Sequence, residues 1–149
     1  MSAEGLDPES YWIGRFAGSV YAWSEAARSG AKEMSLGSPF PPGDHDLLLP
    51  YVERATEAND VRFHLEKSLM TTDLFADVDM GSSWVFIIYK EERVLEGYLS
   101  LKAEKERLEE DGEYMGEVRK RIAWDLGRLM GYSDEYIDER MKRVASHVK

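Results

Sequence analysis

Cysteine and glutamine are absent from this sequence, and asparagine occurs once, at Asn59. Without thiols there is no disulfide, no thiolate zinc or iron–sulfur ligation and no cysteine nucleophile. Histidine is scarce. His45, His64 and His147 are the full set, and none falls near a G-x-S-x-G elbow, so nucleophile schemes are poorly supported. No G-x-G-x-x-G or G-x-x-x-x-G-K-[ST] loop is present to cradle a phosphate. Gly14-Arg15-Phe16-Ala17-Gly18 has the spacing of helix packing instead. No apolar run approaches the roughly 20 residues that cross a bilayer, and no charged–apolar–small leader opens the chain. These absences lead to the expectation of a cytoplasmic protein with no membrane partner. The poverty in Asn, Gln and Cys, set against 32% charged residues, is the pattern of a thermophile.

The chain has 149 residues, 43% of them hydrophobic, enough for one domain with its own core. The expected division is an N-terminal helix over 1–31, a Pro/Gly loop over 32–46 and an α+β body over 47–149. The whole chain carries 19 Lys+Arg and 29 Asp+Glu. Residues 113–149 hold 8 and 7 of these, which leaves 11 and 22 for residues 1–112. That acidic majority repels phosphate backbones, so nucleic acid is not an expected partner.

Asp7-Pro8-Glu9-Ser10 supplies an N-cap, a proline at the first helical position and an acid in the first turn. Trp12, Phe16, Val20 and Trp23 then recur at helical spacing. Gly14, Gly18, Ala22 and Ala26 form a second ridge, every fourth residue small. Such a ridge lets another backbone approach closely, as in membrane helix pairs. Each interior glycine costs about 1 kcal/mol relative to alanine, and close packing is expected to offset it. The prolines of 37–43 exclude a helix or a central strand, with Phe40 as an anchor for the loop. Asp44 or Asp46 is expected to cap a second helix running to about Ala58, with Pro50 in its first turn.

Val61, Phe63 and Leu65 alternate with polar residues, the mark of a half-buried strand over 61–66. Trp84-Val85-Phe86-Ile87-Ile88-Tyr89 is a continuous apolar run, which predicts the central strand, covered on both faces. From Glu91 onward the pattern is helical. Gly112 ends one helix. Met115, Val118, Ile122, Leu126 and Leu129 stripe the next, which stops at Gly131. Ser133 caps a last helix with Tyr136, Ile137, Met141, Val144 and Val148 directed inward. The fold class is therefore α+β: a small sheet covered by helices, with a C-terminal αα-hairpin.

Thr72-Asp73-Leu74-Phe75, Trp84–Tyr89 and Gly127-Arg128-Leu129-Met130-Gly131-Tyr132 resemble, in that order, the landmarks of an archaeal domain family of unknown function. The resemblance covers residues 61–149. Family members follow the Gly-Tyr pair with proline and often cysteine, where this chain has Ser133 and Asp134. It implies an archaeal source and carries no activity, substrate or cofactor.

Three acidic groups have ligand-like composition. Asp44-His45-Asp46 offers two carboxylates and an imidazole, or simply competing helix caps. Asp77-Val78-Asp79-Met80-Gly81 opens like a calcium loop, but glycine falls fifth and Ile88 stands where the twelfth-position glutamate belongs. Glu53 and Glu57 lie one turn apart on one helical face, with Asp60 and His64 following. Glu53, Glu57 and Asp60 are the candidate ligands of a magnesium ion, with Glu106 and Glu109 as a facing acidic pair. A DNA-binding helix-turn-helix over 114–148 is disfavoured because Asp134, Glu135, Asp138 and Glu139 open its second helix. Two roles remain. The favoured one is a non-enzymatic accessory protein acting through protein–protein contacts, most simply as a homodimer through the first helix. The alternative is a divalent-metal hydrolase of a phosphorylated small molecule, which requires the named carboxylates to converge.

Overall fold

The computed structural model describes Gly5 and residues 7–147, with side chains through residue 145. The inward-facing role expected of Val148 and the side chain of His147 lie outside the described residues. The first helix, α1 (Pro8–Ser29), starts as its sequence dictates: the Asp7 carboxylate accepts the Ser10 N–H at 3.2 Å, and Pro8 takes the first helical position. Gly30, with φ of 82°, ends it in the left-handed conformation that glycine adopts without strain.

The next segment is more than a loop. Met34–Leu36 forms a short strand, β1, and the chain stays beside the same neighbour as far as Phe40, whose N–H and carbonyl pair with those of Trp84 at 3.0 and 2.9 Å. A strand of three residues leaves too little alternation to be read from sequence. Pro42–Asp44 makes one 3₁₀ turn leading straight into α2 (His45–Ala58). Neither Asp44 nor Asp46 gives the expected side-chain cap. The Asp44 side chain makes no capping bond, because the preceding turn already delivers the chain in helical form. The Asp46 carboxylate meets the His45 ring at 2.9 Å instead. Pro50 lies inside the helix rather than in its first turn, because α2 begins at His45. Its missing donor falls on the exposed side, which limits the cost.

Helix α2 ends in a Schellman turn. Val61 N–H reaches the Thr56 carbonyl at 3.0 Å and Asp60 N–H reaches Glu57 at 3.2 Å, with Asp60 left-handed at φ of 52°. Strand β2 (Arg62–Glu66) follows, then a crossing segment with a 3₁₀ turn at Asp73–Phe75, then β3 (Val85–Tyr89). The sheet has the order β1-β3-β2 with both pairings antiparallel, so β3 is central as its composition predicts. Helices α3 (Glu92–Glu110), α4 (Gly116–Leu129) and α5 (Asp134–His147) complete the chain.

Because strand side chains alternate, β3 feeds two cores. Phe86 and Ile88 face α1 and α2, where Phe16, Val20, Phe40, Leu48 and Val52 are all buried. Ile87 and Tyr89 face α3 and α4, against Met34, Val94, Tyr98, Ile122 and Leu126. A smaller cluster of Leu74, Ala123 and Ile137 joins the 73–75 turn to α4 and α5. There a Cβ on Gly127 would stand 2.8 Å from Ile137 carbons, so glycine sets the approach of α4 to α5. The turn between them is built as expected: Gly131 is left-handed at φ of 80°, Tyr132 N–H returns to the Gly127 carbonyl at 3.0 Å, and Ser133 Oγ accepts the Tyr136 N–H at 3.1 Å. Tyr136 itself is not directed inward. It is 42% exposed, with its ring against Tyr132.

Candidate functional site

The acidic groups singled out in the sequence are dispersed by the fold. Glu53 and Glu57 lie on the exposed side of α2, beside an open depression shared with Arg62 and Tyr89. Asp60 occupies the left-handed position of the Schellman turn, a structural reason for a short polar residue there. His64 pairs with Ile87 on the sheet face turned away from α2. Glu106 and Glu109 belong to α3, in the opposite layer, so the sheet separates the two acidic pairs. Among the described residues no group of three or more His, Asp or Glu is placed to hold a metal ion.

His45 packs its ring on Trp84 and Phe86, each at 5.9 Å, and serves the aromatic core. The carboxylates of the 73–79 turn have partners within the chain. Asp73 is held bidentately by Arg119 at 2.8 and 2.7 Å, Asp77 meets Arg140 at 2.8 Å, and Asp79 accepts the Gly81 N–H at 2.9 Å. Arg140 also donates to the Leu74 carbonyl at 2.8 Å and lies over the Phe75 ring. The excess base in the C-terminal segment therefore meets acid from the chain's own middle third.

Sequence reasoning missed one polar constellation. Glu66 is 5% exposed, between β2 and α3. One carboxylate oxygen accepts the Ser68 N–H at 2.9 Å and the Lys102 ammonium at 3.0 Å; the other accepts the Tyr98 hydroxyl at 2.9 Å. Met70 N–H in turn donates to the Tyr98 oxygen at 3.0 Å. Burial alone raises the Glu66 pKa, but the three bonds outweigh it and hold the carboxyl below its ordinary value. Burial and the neighbouring carboxylate push Tyr98 well above the usual phenol range. Every polar atom of the Glu66 carboxylate and the Tyr98 hydroxyl is used internally, with Lys102 partly exposed, which fits a device that fixes β2 against α3 rather than one that meets a substrate. The signal was Tyr98 and Lys102, four apart on a helix, aligned with the outward register of β2.

The surface that does stand open is the outer face of α1. Tyr11, Gly14, Arg15, Gly18, Tyr21, Ala22 and Glu25 are all exposed along it. The close packing expected around the small ridge is not seen at its glycines: among the described residues nothing lies within 4 Å of where a Cβ would stand on Gly14 or Gly18. Tyr11 and Tyr21 are each 52% exposed beside them. The buried stripe of the same helix is Phe16, Val20, Ser24 and Ala27, so α1 is anchored on one side and bare on the other.

No family model matches this chain, and no curated protein or solved structure is similar to it. No helix among the described residues is long and apolar enough to cross a membrane.

Proposed function

We propose that this protein acts by binding rather than by catalysis, as a cytoplasmic homodimer joined through the outer face of α1. One observation carries the reading: two glycines in the middle of a 22-residue helix face open space. Each costs about 1 kcal/mol of helix stability relative to alanine, and none of the described residues uses the room they leave. A close helix–helix crossing uses it.

The charges on the same face support a second copy as occupant. A twofold-related helix crossing antiparallel at the level of residue 20 sets Gly18 opposite Ala22, and Arg15 opposite Glu25, in both directions at once. The exposed tyrosines flank that crossing with aromatic area of the kind enriched at protein contacts. The acidic first three quarters of the chain argue against nucleic acid as the partner.

Sedimentation of the full chain across the micromolar range tests this. The expected result is a dimer, weakened about tenfold or more by Gly18→Leu, an order of magnitude being worth about 1.4 kcal/mol. Arg15→Glu and Glu25→Arg should each weaken it, and the double exchange should restore it. A monomer at every concentration overturns the reading, as does a dimer indifferent to these changes.

A further inference from the structure

A cavity lies on the other side of the sheet from α1. It has a volume of about 210 Å³ and opens between the end of β1 and the segment that crosses from β2 to β3. Leu36, Met70, Phe75, Met80, Val85 and Met130 form much of its wall. Met70, Val85 and Met130 are buried and belong to the packed interior, so the floor is fixed. Thr71, Val78 and Pro39 are exposed lining residues and mark the mouth. The crossing segment thus roofs a hollow that the chain's own side chains leave unfilled.

We infer that this cavity binds a small, uncharged, apolar molecule of one or two rings. The chemistry of the wall selects the class. No charged side chain lines it, and Thr71 at the rim supplies the lone side-chain hydroxyl. An ionic ligand would give up its hydration with no partner in exchange. The size selects within the class. An apolar cavity of about 150 Å³ stays dry and takes up benzene, so this one has room for a somewhat larger ring system. It is too small for a folded partner, whose stable interface needs on the order of 1,200 Å² of buried surface. The methionines suit such a guest: Met70 and Met80 come from the crossing segment and Met130 from the end of α4, and their unbranched thioethers adapt to aromatic rings.

The test is a titration of the full chain, carrying ¹³C-labelled methionine methyls, with indole, and in parallel with the indole-3-acetate anion. The expected result is saturable shifts of the Met70, Met80 and Met130 methyls with indole, while Met115, 63% exposed and outside the cavity, stays still. The anion should bind about tenfold weaker or less tightly still, one order of magnitude in Kd. Val78→Trp, which places bulk at the mouth without touching the floor, should abolish the indole shifts. Thr71→Trp repeats that test from another exposed rim position if Val78→Trp disturbs the methyl spectrum. Gly18→Leu should leave the shifts intact, which separates this result from the fate of the dimer. Shifts that fail to saturate, that move Met115 in step, that are matched by the anion, or that survive the rim substitutions overturn the inference.

Discussion

The two faces of the sheet are packed by different means. On the α1–α2 side the filling is aromatic: Phe40 stacks on Phe86 at 5.1 Å, and Phe16 and Phe63 meet Phe86 edge-on at 6.4 and 5.7 Å. On the α3–α4 side aliphatic side chains and methionines are joined by Tyr89 and Tyr98, and the layer encloses the Glu66–Tyr98–Lys102 bonds and the cavity. Rigid rings in mutual contact leave little room to adapt, so the first face holds the fold. Flexible side chains and a buried ion pair tolerate a hollow, so the second face has interior space to offer. The binding surface proposed on the first side is accordingly external, on the back of α1, whereas the cavity on the second side is internal.

The sharpest way to break this contrast is Phe40→Ala. Phe40 is fully buried between Phe16 and Phe86, and its removal should cost about 3–5 kcal/mol in denaturant unfolding. A loss below about 0.5 kcal/mol, the scale of a surface change, would mean that the aromatic face does not hold the fold.

Next comes Glu66→Ala, which strands the Tyr98 hydroxyl and the Ser68 N–H and should cost about 2–3 kcal/mol. Its pH dependence identifies the cause. The Glu66 carboxyl titrates below its ordinary value when folded, so its stabilisation is complete above the unfolded value and is lost as pH falls through the folded one. Unfolding measured from neutral pH to well below about pH 4, the ordinary glutamate value, should therefore show a shallower slope in the variant across the range below that value. Equal slopes would remove the charge from the explanation.

The smallest effects concern two glycines and have opposite signs. Gly18→Ala, with open space around it, should stabilise an isolated protomer by up to about 1 kcal/mol. Gly127→Ala pushes a methyl into Ile137 and should destabilise by about 1–2 kcal/mol, the overpacking cost exceeding the helical gain. Thermal unfolding at low protein concentration reads both.

Much of this architecture was legible. The apolar run at 84–89, the alternation at 61–65 and the stripes of α1, α4 and α5 each carry enough periodic residues to fix an element and its buried side. What escaped was decided by distant partners. Met34–Leu36 is a strand because Tyr89, Ile88 and Ile87 lie beside it, not through any pattern of its own. Glu66 sits at an outward strand position that sequence assigns to water, and α3 covers it. The small ridge of α1 was visible as a spacing, but which neighbour it met was not, and among the described residues its two glycines meet none. The carboxylates at 53, 57 and 60 look like a cluster along the chain, yet a helix face and a Schellman turn give each its own reason to be polar.

Strand order also has a consequence for synthesis. The middle ribbon of the sheet is made after both flanking ones, so neither edge has anything to pair with until residue 89 has left the ribosome. At about 5–20 residues per second, the first ribbon waits several seconds for its neighbour. During that wait the excess of acidic residues in the nascent segment works against its sticking to other chains.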